Sequence, residues 1–291
     1  MNLWQNYLCP SNVQEALLAL RDAPPPTIPI AGGTDILLDL EQGRHPPAQT
    51  LVDLTSVVEM TALETLGNEL FVGSAVPLAR VAAHPLVIQQ AEALAEACEL
   101  VGGPQVRNVA TLGGNVAHAL PAADGTIALL ALGAQAELAT LDGTRNVPVG
   151  DLFEGPGKSV LRPGIELIVG FRLRIKQAGE ASAFQRVMRP QGVALPILNV
   201  GVWICRRGDR IESVRIAVGP AGPRPWRAVE AESLLTGQPY TAAMIDRAVD
   251  ALLSQAVFRS SPRRASADYR RGLVGPLVRG ALASAWSRAA S

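Results

Sequence analysis

The residues "RNVATLGGNVAHALPAAD", numbered 107–124, fit neither a regular helix nor a core strand. Their centre is too rich in glycine for a helix and too polar for a core strand. An earlier stretch, "PIAGGTDILL" (29–38), also has two glycines followed by small polar side chains. Paired glycines let backbone N–H groups form a concave anion site and remove Cβ atoms that would block a ligand. We therefore predict two loops, at Gly32-Gly33 and Gly113-Gly114, that grip one dinucleotide by its diphosphate. The alternative is that each pair merely closes a tight turn.

The composition excludes several classes of function. Of the 291 residues, 48% are hydrophobic and 18% are charged, which is enough for a sizeable core in two domains. The 26 basic residues equal the 26 acidic ones, so no net positive charge attracts nucleic acid. No apolar run approaches the roughly 20 residues of a transmembrane helix, and the N-terminus lacks the features of a signal peptide. We therefore expect a cytoplasmic protein with no membrane span and no nucleic-acid partner.

Cysteine and histidine usage indicates no metal site and no catalytic set. Cys9, Cys98 and Cys205 are scattered without C-x-x-C spacing. They cannot ligate an iron–sulfur cluster, and we expect them to be small buried hydrophobic residues. No Ser-His-Asp set, paired-carboxylate site or H-E-x-x-H motif is recognisable. "LFEGPGKS" (152–159) lacks the first glycine of an NTPase phosphate loop, and no Rossmann G-x-G-x-x-G follows a strand. Catalytic and metal-ligating residues are therefore predicted to be absent.

Hydrophobic periodicity and turn residues predict mixed α and β structure. Helices are predicted at 12–21 (N-cap Ser11), 85–101, 125–132 (N-cap Asp124), 242–255 and 267–288. Strands are predicted at 27–31, 50–54, 70–75 and 166–175, and in antiparallel pairs that turn at Asp142-Gly143 and Gly208-Asp209. A change in character near 176–179 predicts a domain boundary, followed by a small antiparallel sheet backed by helices. The fold class is α+β.

The two glycine motifs also carry a family resemblance. "AGGTDILLDL" and "VGGPQVRNVATLGGNVAHALPAAD" resemble the flavin-binding signatures of the FAD-binding medium subunit of molybdenum hydroxylases. This is the family of xanthine dehydrogenase, aerobic carbon monoxide dehydrogenase and 4-hydroxybenzoyl-CoA reductase. "AFQRVMRPQGVALPILNVGV" and "SPRRASADYRRGLVGPLVRGAL" resemble its C-terminal domain, so the likeness covers nearly the whole chain.

The resemblance implies a definite fold and division of the chain. A two-part FAD-binding domain of the vanillyl-alcohol-oxidase (PCMH) type would span 1–177, with subdomains of about 1–55 and 56–177. Residues 178–291 would form a C-terminal antiparallel sheet with helices, like that of carbon monoxide dehydrogenase flavoproteins.

The resemblance also assigns cofactor-binding residues. The first loop would wrap the diphosphate with Pro29, Ile30, Ala31, Gly32, Gly33, Thr34, Asp35 and Ile36. The second would close on it with Thr111, Leu112, Gly113, Gly114 and Asn115. Val101 would lie beside the adenine, His118 and Asp124 would contact the cofactor, and Ile168 and Gln185 would lie near the isoalloxazine ring. Alternatives remain: Asp124 as a helix cap, His118 as a structural imidazole, and Arg107 either on a phosphate or in a salt bridge that braces the loop.

The function implied is electron transfer within a complex. FAD on this chain would take electrons from two-iron, two-sulfur clusters of a small subunit, which receive them from a molybdopterin-binding large subunit. It would pass them to NAD, a quinone, a cytochrome or dioxygen, and a dimer of heterotrimers is one arrangement to consider. The alternatives are a stand-alone flavin-dependent reductase of the same fold and a non-catalytic scaffold. The basic stretch "RSSPRRASADYRRG" (259–272) is interpreted as a solvated helix face or, alternatively, as a subunit interface.

Overall fold

The computed structural model describes residues 3–189, 195–262 and 264–290. Parts of the C-terminal resemblance, residues 190–194 and residue 263 of the basic stretch, therefore lie outside the described residues. The strands are β1 (Asn6–Leu8), β2 (Thr27–Ile30), β3 (Thr50–Asp53), β4 (Leu63–Leu66), β5 (Glu69–Gly73), β6 (Gln135–Thr140), β7 (Gly143–Pro148), β8 (Phe153–Gly155), β9 (Lys158–Ser159), β10 (Leu167–Arg174), β11 (Glu180–Val187), β12 (Leu198–Arg207), β13 (Arg210–Gly219) and β14 (Trp226–Arg227). The helices are α1 (Val13–Asp22), α2 (Ile36–Glu41), α3 (Val58–Thr61), α4 (Leu78–Ala83), α5 (Pro85–Gln90), α6 (Glu92–Leu100), α7 (Pro104–Arg107), α8 (Leu112–Ala117), α9 (Asp124–Leu132), α10 (Val229–Leu235), α11 (Ala242–Gln255) and α12 (Ala267–Arg288).

The N-terminal sheet positions the first glycine loop. Its strands are parallel, in the order β1-β3-β2, and the chain leaves the end of β2 at Ile30 to enter the loop. Helix α1 packs beside this sheet through Leu17 and Leu20. Its N-cap is one residue later than predicted. The Asn12 side chain caps the helix by accepting from the backbone of Glu15, whereas Ser11 donates to the Glu15 carboxylate.

The second sheet has the order β4-β5-β10-β6-β7 and is antiparallel throughout. The predicted hairpin at Asp142-Gly143 is confirmed. The prediction of one continuous helix over 85–101 is wrong, because the segment forms two helices, α5 and α6. They are separated at Ala91, where φ is −149° and ψ is 58°. A tertiary contact accounts for the break: the Ser182 hydroxyl accepts from the Ala93 backbone and donates to Glu92. Periodicity along one segment cannot anticipate such a contact.

The third sheet has the order β11-β12-β13-β14 and is also antiparallel, with the predicted turn at Gly208-Asp209 confirmed. Helix α12 packs against β11 and β12, while α6 and α9 pack against the same sheet. Gly201 lies close to α9, where an added Cβ would be crowded at 3.1 Å from the Ile127 carbonyl oxygen. The third sheet is therefore in direct contact with helices from the first half of the chain. The predicted α+β fold is confirmed.

Candidate functional site

A cleft of about 770 Å³ lies where the two glycine motifs meet the C-terminal part of the chain. Most of the residues assigned from the sequence line it. They are Pro29, Ile30, Ala31, Gly32, Gly33, Thr34, Asp35, Ile36, Val101, Thr111, Gly114, Asn115, His118 and Asp124. Two motifs about eighty residues apart in sequence thus contribute to one concave surface.

The two motifs touch through their backbones. A Cβ on Gly32 would lie 2.1 Å from the carbonyl oxygen of Val109 and 2.7 Å from the Cα of Ala110, immediately before the second motif. Asp35 and His118 also face each other, with 4.0 Å between Oδ2 and Nδ1. Gly32 is therefore required for the contact between the motifs, because any side chain would push them apart.

The first motif keeps free hydrogen-bond donors. Within the described ranges, no oxygen accepts from the backbone N–H of Gly32, Gly33 or Thr34. Gly33 has a φ of +67°, a left-handed conformation that favours glycine, and it makes the turn between β2 and α2. Unpartnered backbone donors are expensive in a protein interior, so a run of them beside a cleft suits an anionic ligand.

The second motif differs from the prediction, because it is not a loop of free donors. It forms the first turn of α8, and the Thr111 hydroxyl accepts from the Gly114 backbone at 3.1 Å as the N-cap. The Leu112 and Gly113 N–H groups donate to the carbonyl oxygens of Val76 and Ser74. A capping threonine and tertiary hydrogen bonds offset the poor helix propensity of two glycines. The second motif therefore contributes shape to the cleft rather than a nest of backbone donors.

The two glycines of α8 have different roles. A Cβ on Gly113 would lie 2.5 Å from the Ser74 Cβ, so this glycine allows close packing against the strand end. A Cβ on Gly114 would meet only the Thr111 hydroxyl, at 3.2 Å, and Gly114 lines the cleft. Only Gly114 therefore leaves cleft space that a side chain would fill.

Asn115 and Asp124 connect the cleft to the surrounding fold. The Asn115 side-chain oxygen accepts from the Thr126 backbone at 3.2 Å, in the first turn of α9. The interpretation of Asp124 as the helix cap is wrong, because Asp124 is the first residue of α9 and makes no capping bond. Its carboxylate instead accepts from Arg186 at 2.5 Å and from Asn199 at 2.6 Å.

The ion pair at Asp124 is almost fully buried, with side-chain exposures of 4% for Asp124 and 5% for Arg186. Burial raises the pKa of Asp124, and the Arg186 guanidinium and the Asn199 amide oppose that rise. The Arg186 Nε has no partner among the described residues. The pair thus places one fixed, partly unsatisfied cation at the cleft wall.

Four assigned residues do not line the cleft. Leu112 is buried in the core and Gly113 packs against Ser74. Ile168 lies in the core beside an irregularity in β10. The Gln185 side chain packs against Gly280 of α12. Arg107 does not line the cleft either, and it braces its loop through the carbonyl oxygens of Val101 and Gly102 rather than through a salt bridge.

Several cationic residues were not anticipated at the site. Arg186 lines the cleft, as do Arg259, Arg264 and Arg270. The last three belong to the stretch interpreted as a solvated helix face, and that interpretation is wrong for Arg270, which is only 2% exposed. Sequence alone offered a weak signal, the clustering of arginines around a serine- and proline-rich turn.

The donor set fits a dinucleotide such as FAD. Free N–H groups at Gly32–Thr34 and the cleft arginines, three of which form no ion pair with a described residue, suit a diphosphate. Leu78, Val101 and Val106 give the cleft an apolar part. In the described parts of the chain, no cluster of three or more His, Cys, Asp or Glu side chains could hold a metal ion. Cys98 is buried as expected, but Cys9 is exposed and Cys205 is half-buried, which corrects the expectation for those two. None of the described helices has the length and apolarity needed to cross a membrane.

Comparison with known proteins gives consistent matches. Residues 3–173 match the family model of the FAD binding domain in molybdopterin dehydrogenase, and residues 182–285 match that of the CO dehydrogenase flavoprotein C-terminal domain. The sequence is 31% identical to the nicotine 6-hydroxylase medium subunit of Paenarthrobacter nicotinovorans, over 97% of each chain. It is 28% identical to the carbon monoxide dehydrogenase medium chain of Hydrogenophaga pseudoflava, over 98% of each chain.

Solved structures agree with these matches. A chain of carbon monoxide dehydrogenase from Hydrogenophaga pseudoflava superposes with a TM-score of 0.91 and 27% identity, over 98% of each chain. A chain of quinoline 2-oxidoreductase from Pseudomonas putida 86 superposes with a TM-score of 0.89 and 26% identity, over 99% of this chain and 98% of that one.

Proposed function

Because the chain belongs to the family of FAD-binding medium subunits of molybdopterin dehydrogenases, we propose that it transfers electrons within a molybdenum hydroxylase complex. It takes electrons from the iron–sulfur clusters of a small partner subunit and passes them to a terminal acceptor. A large subunit holds molybdopterin and oxidises the substrate. Bound FAD supplies the redox chemistry, since a flavin exchanges electrons singly or as a hydride.

The observation that carries this proposal is the convergence of the two motifs in one cleft. Gly32 contacts the Val109–Ala110 backbone. The residues with free N–H groups, Gly32, Gly33 and Thr34, line the cleft at this contact. These amides would bind the FAD diphosphate without help from a charged side chain of the same loop. Gly114 leaves room for the ligand to approach the start of α8.

Other residues of the chain would orient the cofactor. The Asn115 oxygen is already bonded to Thr126, so only its amide N–H groups remain available to a ligand. Asp124 would hold Arg186 in place at the cleft wall rather than contact the cofactor alone. Val101 lines the cleft with a small apolar side chain, which supports placing the adenine of FAD beside it. Ile168 and Gln185 stay as predicted positions near the ring.

Partners are required for the whole reaction on this proposal. The described residues offer no metal cluster site, and the sequence supplies three scattered cysteines rather than the four an iron–sulfur cluster needs. We also infer a division of the chain near residue 177, supported by the passage from the second sheet to the third between Arg174 and Glu180.

The first test is FAD binding by the purified chain. Titration followed by flavin fluorescence should give saturable binding at one FAD per chain. Gly114→Val should weaken it by tenfold or more, because the side chain would occupy cleft space. Gly272→Val is the matched control, since Gly272 is also helical and a Cβ there meets no atom within 4 Å. A chain that stays colourless with excess FAD would instead support the scaffold.

The second test concerns the complex. Purification from the native host should yield molybdenum, iron, acid-labile sulfide and FAD together with two further subunits. The mass of the particle decides between a heterotrimer and a dimer of heterotrimers. Recovery of the chain alone, loaded with FAD and reducing a substrate directly, would refute the electron-transfer role in favour of a stand-alone reductase.

A further inference from the structure

Three arginines from the C-terminal part of the chain line the same cleft, and none of them forms an ion pair with another residue that the structure describes. Arg259, Arg264 and Arg270 all line it. Arg270 is only 2% exposed, and among the described residues its Nε and Nη1 atoms have no hydrogen-bond partner. Buried guanidinium groups are almost always paired. Arg270 is such a group, and the half-buried Arg264 and the exposed Arg259 lie beside the same cleft. Together the three arginines indicate a site for an external anion.

The backbone holds these arginines together at the start of α12. The Ser266 hydroxyl caps the helix by accepting from the Tyr269 backbone at 3.1 Å. The Ser260 hydroxyl accepts from the Ala267 backbone at 3.0 Å, and the Ser261 backbone N–H donates to the Ala265 carbonyl at 2.9 Å. Ser260 and Ser261 are therefore bonded to residues at the start of the helix. Arg259 and Arg264 lie near Arg270 on the same cleft, close to the positive end of the helix dipole.

The electrostatics of the cluster are unfavourable without a ligand. Burial, together with the charges of Arg264 and Arg259, lowers the pKa of Arg270. Burial and Arg259 likewise lower the pKa of Arg264. An arginine still keeps its charge at neutral pH, so the repulsion persists in the folded protein.

The carboxylates that line the cleft do not relieve that repulsion. Asp124 is bonded to Arg186 and Asn199. Asp39 pairs with Arg44, and Asp35 lies 4.0 Å from His118. Within the described residues, the cluster therefore lacks an acidic partner.

We propose that Arg259, Arg264 and Arg270 bind the phosphates of a dinucleotide, as a set of donors additional to the amides of the first glycine motif. The planar fork of a guanidinium binds two phosphate oxygens at once, which favours phosphate as the ligand. The phosphate has two candidate sources: the diphosphate of FAD, or that of a nicotinamide dinucleotide acting as electron acceptor. This arginine subsite does not itself depend on the proposed function, but the choice between these sources does.

The subsite is tested with inorganic pyrophosphate, titrated by calorimetry into the cofactor-free chain. Arg270→Gln and Arg264→Gln should each raise the dissociation constant by about tenfold or more, as expected for the loss of charge-assisted hydrogen bonds. Arg271→Gln is the matched control, because Arg271 is exposed on the next position of the helix and donates to the Leu253 carbonyl. It should change the constant less than twofold.

Thermal unfolding of the cofactor-free variants gives an independent readout. Arg270→Gln should unfold at the same temperature as the unmodified chain or higher, since it removes an unpaired buried charge. The proposal would be overturned if the unmodified chain and the three variants bound pyrophosphate equally well. It would also be overturned if Arg271→Gln weakened binding as much as Arg264→Gln and Arg270→Gln. A marked drop in the unfolding temperature of Arg270→Gln with unchanged pyrophosphate binding would overturn it as well, because that combination describes a purely structural arginine.

Titration with FAD, and then with NADH on FAD-saturated protein, identifies the source. Weaker FAD binding by the Arg264 and Arg270 variants assigns the subsite to the FAD diphosphate. Unchanged FAD binding with weaker NADH binding assigns it to the acceptor, and no effect on either dinucleotide overturns the proposal. A chain that binds pyrophosphate through these arginines yet binds no FAD would refute the proposed function and leave the subsite intact.

Discussion

Substitution of Gly32 by alanine is the sharpest test of the contact between the two motifs. The added Cβ would lie 2.1 Å from the Val109 carbonyl oxygen and 2.7 Å from the Ala110 Cα, both of them backbone atoms. Carbon–oxygen contacts settle at about 3.3 Å or more, so the motifs must separate by about 1 Å. Neither side can yield by rotating a side chain.

Such a separation should reduce both affinity and stability. A displacement of this size breaks or weakens at least one hydrogen bond to the diphosphate, which is worth about 1.5–3 kcal/mol for a charged group. The dissociation constant for FAD should therefore rise by about 10- to 150-fold. Overpacking should lower the free energy of unfolding by about 1–3 kcal/mol.

Both quantities are measurable on the same preparation. FAD titration gives the affinity, and urea unfolding of the cofactor-free chain gives the stability. Gly155→Ala serves as the control, since a Cβ at Gly155 meets no atom within 4 Å. If Gly32→Ala lost stability but bound FAD as tightly as the unmodified chain, the contact between the motifs would not belong to the cofactor site.

Three further predictions concern polar groups around the cleft and the second sheet. Burial raises the pKa of Glu166, but hydrogen bonds from Arg162 and Arg145 outweigh it and lower the pKa to about 2. Because the pKa in the folded chain lies below that in the unfolded chain, the carboxylate stabilises the fold by about 3 kcal/mol. This stabilisation is present above pH 4.5 and is lost toward pH 2. Urea unfolding across this range should show the gap between the unmodified chain and Glu166→Gln closing as the pH falls, and a constant gap would contradict it. Asp124→Leu should cost about 3–5 kcal/mol by leaving Arg186 buried and unpaired, whereas combining it with Arg186→Met should recover much of that loss; equal destabilisation in urea would argue against a charge effect. Thr111→Ala should lower the free energy of unfolding by about 1 kcal/mol through loss of the cap, with Thr111→Ser restoring it, and faster amide exchange in α8 is the local readout.

Much of the fold follows from short-range sequence patterns. Alternation and turn residues predict the hairpin at Asp142-Gly143 and the strand pair at Gly208-Asp209, and both are confirmed. Helices α11 and α12 are also predicted correctly. The family resemblance carried by the glycine motifs is also confirmed. In each case the information lies within a few residues of the element.

The errors arise where distant groups decide the local structure. The break at Ala91 depends on Ser182, almost a hundred residues away. The helix at Gly113-Gly114 depends on carbonyl oxygens of Val76 and Ser74, which bind its first N–H groups. Helix propensity predicts neither the break nor this helix, because both are consequences of tertiary hydrogen bonding.

Charge in the sequence is equally ambiguous before folding. Arg270 and Arg271 are adjacent and chemically identical, yet one is buried at the cleft and the other is exposed. Only their angular positions on α12, fixed by its packing on the third sheet, distinguish them. A basic stretch read in one dimension therefore predicts solvent exposure by default and misses the residue that is buried.

The bonds of Asp124 to Arg186 and Asn199 restrict how this chain can be recombined with its relatives, both in the laboratory and in evolution. The carboxylate belongs to the first half of the chain, whereas its two partners are on β11 and β12. A chimaera that joins the first half of this chain to the second half of a relative must therefore inherit a matching arginine and amide. Without them, a chain recombined at the boundary between the two halves would contain a buried carboxylate with no hydrogen-bond partner. Exchange of whole subunits should consequently be tolerated better than exchange of halves.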